Sequence, residues 1–154
     1  MTEARIIQEL DRIKTTTSLA NIGASAGPIK KTNIFEWNAI LTGPKKTPYE
    51  DNLYKLLITF PKNFPESAPS IKFVTKIFHP NVSINGDICV SSIGSKWNES
   101  TDIITILYSI FFMLKNPNLK HGINEEAVNL CKNDPNSFNL KVKEYNNLYS
   151  IKKI

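Results

Sequence analysis

The chain has 154 residues, 41% hydrophobic and 21% charged, with a formal net charge of +5. That length favours one domain over residues 1–154, able to bury roughly 68–70% of its unfolded surface without disulfide or metal staples. The apolar fraction and the 15 aromatic side chains exclude intrinsic disorder.

In chain order, Thr2 is expected to cap a first helix whose apolar face is Ile6, Ile7, Leu10 and Ile13. Ser18 to Pro28 is small and polar, with Gly23, Gly27 and Pro28 as turn formers. Ile34 to Leu41 alternates, so a strand there places Phe35, Trp37, Ala39 and Leu41 on one face. Leu53 to Phe60 reads as a second strand. A proline-broken segment follows, Pro61 through Pro69, and then a short strand at Ile71 to Thr75.

From Lys76 to Ser100 no period holds, and an irregular stretch of about 25 residues in a compact domain points to function. Ile103 to Leu114 is a largely apolar run between Asp102 and Lys115. As a helix it is roughly 18 Å long, against about 30 Å of bilayer hydrocarbon, so it is expected to be a core helix with no membrane role. Asn124 with Glu125 and Glu126 reads as the cap and acidic first turn of a further helix. Asp134-Pro135 opens the last one, directing Phe138, Val142, Tyr145 and Tyr149 inward. The fold class is α+β: an antiparallel meander of four strands, flanked by an N-terminal helix, a central helix and two C-terminal helices.

The positive charge raises a nucleic-acid reading. Only Arg5 and Arg12 are arginines, the other 17 basic residues being lysines. Arginine supplies the planar fork that reads guanine and clamps phosphate, so no nucleic-acid partner is expected. Two cysteines without a C-x-x-C pair, and an N-terminus without a secretory pattern, suggest free thiols in a cytoplasmic or nuclear setting.

The long loop holds His79-Pro80-Asn81 and Gly86-Asp87-Ile88-Cys89. In the plainest reading Cys89 is a small buried hydrophobe and His79 a loop anchor. Zinc ligation by His79, Cys89, His121 and Cys131 would need gaps of 10, 32 and 10, which match no paired-ligand spacing, so no metal is expected. A cysteine hydrolase would pair Cys89 with His79 or His121 as base. Thioester-carrying transfer instead needs a thiol and an oxyanion donor, and Asn81 offers an amide.

His79-Pro80-Asn81, Cys89 eight residues on and Trp97 eight further resemble the active-site signature of ubiquitin-conjugating enzymes. The resemblance extends through Ser25-Ala26-Gly27-Pro28, Phe35-x-Trp37, Gly43-Pro44 with Pro48-Tyr49, Phe60-Pro61 through Pro69, and Asn116-Pro117-Asn118. It implies that Cys89 accepts ubiquitin, or a related ubiquitin-like modifier, as a thioester from the activating enzyme. It passes the modifier to a ligase cysteine or a substrate lysine. Asn81 would stabilise the oxyanion or hold the loop, and His79 would be structural. The resemblance implies no cofactor, ATP being used by the activating enzyme alone. It also implies a monomer that contacts the activating enzyme through Arg5 and Arg12, a ligase through Glu66, Asn98, Glu99 and Ser100, and a second modifier through Ser25.

The chain departs from that pattern at the active-site gate, where Ser91 and His121 stand in place of the usual acidic residues. Deprotonating a lysine of pKa about 10.4 near pH 7 costs roughly 4–5 kcal/mol. A serine and a histidine promote that poorly, leaving Asp87 as the alternative acid. Transfer to a ligase cysteine is therefore expected to be preferred. At the ligase surface, Glu66 and Glu99 place carboxylates where the family commonly has apolar residues.

Overall fold

A computed structural model describes residues 2–88 and 97–152. Its elements are α1 (Thr2–Lys14), β1 (Ser25–Lys30), β2 (Asn33–Thr42), β3 (Asn52–Thr59), β4 (Ser70–Phe73), α2 (Ile103–Lys115), α3 (Glu125–Asn133), α4 (Pro135–Tyr149) and β5 (Ile151–Lys152). Strands β1 to β4 form an antiparallel meander in chain order, as the sequence predicts. The two residues of β5, not expected from the sequence, pair with the start of β3.

The alternation in β2 does its expected work. Trp37, Ala39 and Leu41 are buried and pair with the buried Ile58, Leu56 and Tyr54 of β3, so one sheet face belongs to the core. Ile103, Leu107, Ile110 and Leu114 of α2 belong to the same core. Each such side chain contributes roughly 1.5–3 kcal/mol on full burial. Helix entry at Asn124 and Asp134 follows the expected chemistry, their side chains accepting from the backbone N–H groups of Ala127 and Ser137; Asp102 likewise accepts from Thr105 N–H.

Four expectations are corrected. Ser25–Lys30 is an edge strand rather than a turn: Pro28 lies opposite Trp37, and the register shifts just after it. A proline without an N–H is tolerated at an edge, where that group has no ladder partner. Thr2 lies within α1, and its hydroxyl donates to the Lys62 carbonyl (2.7 Å) instead of capping. On α1 it is Glu9, not Ile7, that joins Ile6 inside: Glu9 is 1% exposed and Ile7 49%. Tyr149, expected inward, is 42% exposed near the end of α4, where its ring packs on Tyr145 and beneath the Lys76 ammonium.

The loop after β4 is irregular but tightly bonded. Its bridges join Lys72 to Asp87, His79 to Val82 and Val82 to Ile88. Gly86 makes this possible, with φ +92° and its carbonyl accepting from Phe73 N–H (2.9 Å). A Cβ there would lie 2.1 Å from the Phe73 carbonyl oxygen, so only glycine fits.

Candidate active site

His79 is fully buried, and both ring nitrogens are used inside the protein. Nδ1 accepts from the Asn81 backbone N–H (2.9 Å), which places the proton on Nε2, within 2.8 Å of the Met113 carbonyl in the last turn of α2. Burial pushes the His79 pKa down to about 4, against the opposing pull of the Met113 carbonyl, so the ring is neutral at physiological pH. It anchors the loop and is not poised to act as a base.

That burial has a consequence for stability. The unfolded chain binds a proton on this imidazole near pH 6.5, whereas the native state does so only near pH 4. Stability is therefore full above about pH 6.5 and falls as pH drops towards 4, by a total on the order of 3 kcal/mol. Urea denaturation between neutral pH and about pH 4.5 is expected to show this slope, and His79→Gln to flatten it.

Asn81 is also fully buried, and its amide is a clamp. Nδ2 donates to the carbonyls of Asn118 (2.8 Å) and His121 (3.3 Å), while Oδ1 accepts from Asn118 N–H (2.8 Å). Between the two, the Pro80 carbonyl accepts from the backbone N–H groups of Ile123 (2.9 Å) and Asn124 (3.1 Å), where α3 begins. Three consecutive residues thus sew the loop to the end of α2, to the 118–121 turn and to the start of α3. Both amide hydrogens are committed to carbonyls, so Asn81 ties the loop to the 118–121 turn in this structure.

Cys89 follows Ile88 directly in sequence, and both it and Ser91 lie outside the described residues. The His121 side chain is exposed, and its carbonyl is the group Asn81 holds. Asp87, the alternative acid, is exposed with Lys72 4.0 Å away. The other cysteine, Cys131, is partly buried in α3, and burial pushes its thiol pKa up, which disfavours the nucleophilic thiolate. Among the described residues no cluster of His, Cys, Asp and Glu could hold a metal ion.

The remaining expected site residues fall on two surfaces. Glu66, Asn98, Glu99 and Ser100 are exposed at one corner, where Trp97 Nε1 donates to the Pro65 carbonyl (2.7 Å) and its ring packs on Phe64. Arg5 fastens α1 to this corner. Its guanidinium pairs with Glu9 (3.0 Å), donates to the carbonyls of Glu99 and Thr101, and lies over the Phe64 ring. Arg12 pairs with Asp102 (3.0 Å) and remains 41% exposed. Ser25 is exposed on β1 opposite Ile40, on the sheet face turned away from Trp37 and Leu41. Sequence reasoning missed Glu9; its position three residues after Ile6, on the apolar stripe, was the available signal.

Residues 5–146 match the family model described as ubiquitin-conjugating enzyme. Among curated proteins, the chain is 36% identical over 140 residues to "Ubiquitin-conjugating enzyme E2 2" of Saccharomyces cerevisiae, covering 91% of this chain and 79% of that one. It is 34% identical to the protein of the same name from Neurospora crassa, covering 91% and 90%. Among solved structures, it resembles a putative ubiquitin conjugating enzyme from Plasmodium yoelii with a TM-score of 0.85 at 32% identity, covering 96% of this chain and 94% of that one. An E2 domain from Toxoplasma gondii gives a TM-score of 0.84 at 31% identity, covering 97% and 99%.

Proposed function

The chain belongs to the ubiquitin-conjugating enzyme family, transferases that act through a cysteine thioester and work with ubiquitin, an activating enzyme and ligases, and we propose that Cys89 is its thioester cysteine. One observation carries the assignment: the three-residue clamp at His79, Pro80 and Asn81, bonded on all sides, stands just upstream of Cys89 in a loop that Gly86 holds in register. A thioester site needs such rigidity, because attack is fast only where the reacting atoms are held in geometry.

In the reaction, the Cys89 thiolate attacks the thioester carbonyl carbon of ubiquitin on the activating enzyme. A new S–C bond forms and the activating enzyme's thiolate leaves. The second transfer repeats this with Cys89 as leaving group. Thioester exchange between thiols is close to balanced and needs no strong base, which suits a site whose one buried histidine is neutral. No metal or cofactor enters this scheme.

The partner surfaces are those that the family resemblance implies. The activating enzyme would contact α1 through Arg12, the more exposed of the two arginines, since Arg5 is committed to the fold. A ligase would meet Glu66, Asn98, Glu99 and Ser100, and a second ubiquitin would meet Ser25 on the outward sheet face. The enzyme would act as a monomer in the cytoplasm or nucleus.

Because Ser91 and His121 stand in sequence where the family's gate residues are usually acidic, we take a ligase cysteine as the preferred acceptor. Once charged, the protein is expected to discharge to a small thiol at least about tenfold faster than to free lysine at equal concentration and neutral pH, reflecting the cost of deprotonating the amine. Equal rates would contradict this preference.

A further inference from the structure

Away from the clamp lies an open cavity of about 510 Å³, bounded by the 20–23 turn that leads into β1, the connection leaving β2, and the last turns of α2. Its lining joins two chemistries. Ile22, Pro44 and Phe111 supply carbon, while Lys45 and Lys115 supply charge and no lining residue is acidic. Both lysines are exposed, and neither has a salt-bridge partner among the described residues.

The walls are already bonded to one another. The Thr42 hydroxyl donates to the Gly23 carbonyl (2.6 Å), tying the end of β2 to the turn. The turn itself is closed by Ile22 N–H to the Leu19 carbonyl (3.1 Å) and by Gly23 N–H to the Ala20 carbonyl (3.0 Å). On the third side, the Tyr108 hydroxyl donates to the Ser18 carbonyl and fastens α2 to the same connection. A site formed in advance loses little ordering entropy when it is filled. It also stands apart from the surfaces assigned above. Asp102 and the ligase corner lie at the other end of the 13-residue α2, roughly 20 Å along the helix axis. Helix α2 packs on the core face of the sheet, whereas Ser25 lies on the outward face.

We infer that this cavity docks an acidic segment of a partner protein, seating one large apolar side chain on Ile22, Pro44 and Phe111 with carboxylates reaching Lys45 and Lys115. Charge complementarity sets the choice of occupant. A basic segment is repelled, and a purely apolar one desolvates two ammonium groups without return. A small molecule in a cavity this open leaves too much of its own surface in water. Nucleic acid fits less well, because no arginine fork lines the site to clamp a phosphate. Carbon rimmed by charge of one sign is the pattern of a protein-docking surface. A partner held here would leave both the ligase corner and the Ser25 face open, so it could retain the enzyme while a ligase is engaged.

The test uses the uncharged full chain, isotopically labelled, so its outcome does not depend on Cys89. Three capped peptides are titrated: a central leucine between two pairs of glutamates, the same with serine at the centre, and the same with glutamines for the glutamates. The first is expected to shift the amides of Ile22, Gly23, Lys45 and Phe111 to Lys115 saturably, with the other two binding about fivefold or more weakly. Its affinity should fall several-fold between about 0.05 M and about 0.5 M salt. Lys45→Glu and Lys115→Gln are each expected to weaken it about fivefold or more while thermal unfolding stays as in the parent. Absence of a saturable shift, shifts confined to other surfaces, equal binding of the three peptides, or unchanged affinity in both variants would each overturn the inference. So would a short single-stranded RNA that shifts the same amides at lower concentration than the leucine–glutamate peptide.

Discussion

Glu9→Ala is expected to destabilise the protein by about 3–5 kcal/mol, because it removes one partner of a buried ion pair and leaves the other uncompensated. Glu9 is 1% exposed. Its Oε2 faces Arg5 at 3.0 Å and Arg12 at 3.8 Å, and its Oε1 accepts from Ile103 N–H at 2.9 Å, the first residue of α2. Alanine would strand the Arg5 guanidinium, which is only 17% exposed, and would also orphan an N–H at the start of α2. Glu9→Gln keeps an acceptor for Ile103 but meets Arg5 without charge, so its loss should be intermediate. Chemical denaturation measures both. A loss below about 1 kcal/mol for alanine would mean that the pair's attraction only offsets its desolvation and that the stranded arginine finds water. The functional consequence is local. Arg5 also holds the 97–102 turn through the Glu99 and Thr101 carbonyls, so the proposed ligase corner should loosen before the sheet does.

Asn81→Ala is expected to cost about 2–4 kcal/mol and to slow both charging and discharge, since three hydrogen bonds are lost and their partners are left buried or half-buried. The Asn118 N–H and carbonyl lose their partner, and so does the His121 carbonyl. Asn81→Asp should do little better, because a carboxylate can still accept from Asn118 N–H but repels the two carbonyls that the amide nitrogen now serves. Amide shifts in the uncharged protein distinguish the roles of this residue. A clamp predicts that Asn118 to Ile123 move and that stability drops. A side chain needed only for the oxyanion would leave the resting protein untouched and act on rate alone.

Much of this architecture was legible in the sequence, and what was missed shares a physical cause. Alternation along β2, and the helix starts at Asn124 and Asp134-Pro135, are local signals whose partners lie within a few residues, so pattern reading finds them. The edge strand β1 was hidden by Gly27-Pro28, turn residues whose liabilities vanish where no neighbour needs the missing N–H. Glu9 was hidden because an acid on an apolar stripe is ordinarily solvated, and only the later packing of Arg5 and Ile103 makes its burial favourable. At the site, the motif residues could be named from their resemblance to the family signature, but not the groups that each of them holds. Asn81 acts on Asn118 and His121, 37 and 40 residues away, and His79 acts on Met113, 34 away. Contacts at that separation are set by the fold and leave no periodic trace.

The most direct test of the central claim is a charging assay with activating enzyme, ATP and ubiquitin. The account predicts a single ubiquitin adduct that thiol reductant removes. It predicts that Cys89→Ser either abolishes the adduct or converts it to a reductant-resistant ester, and that Cys131→Ser charges as the parent does. A reductant-sensitive adduct that survives Cys89→Ser, or one that disappears with Cys131→Ser, would contradict it.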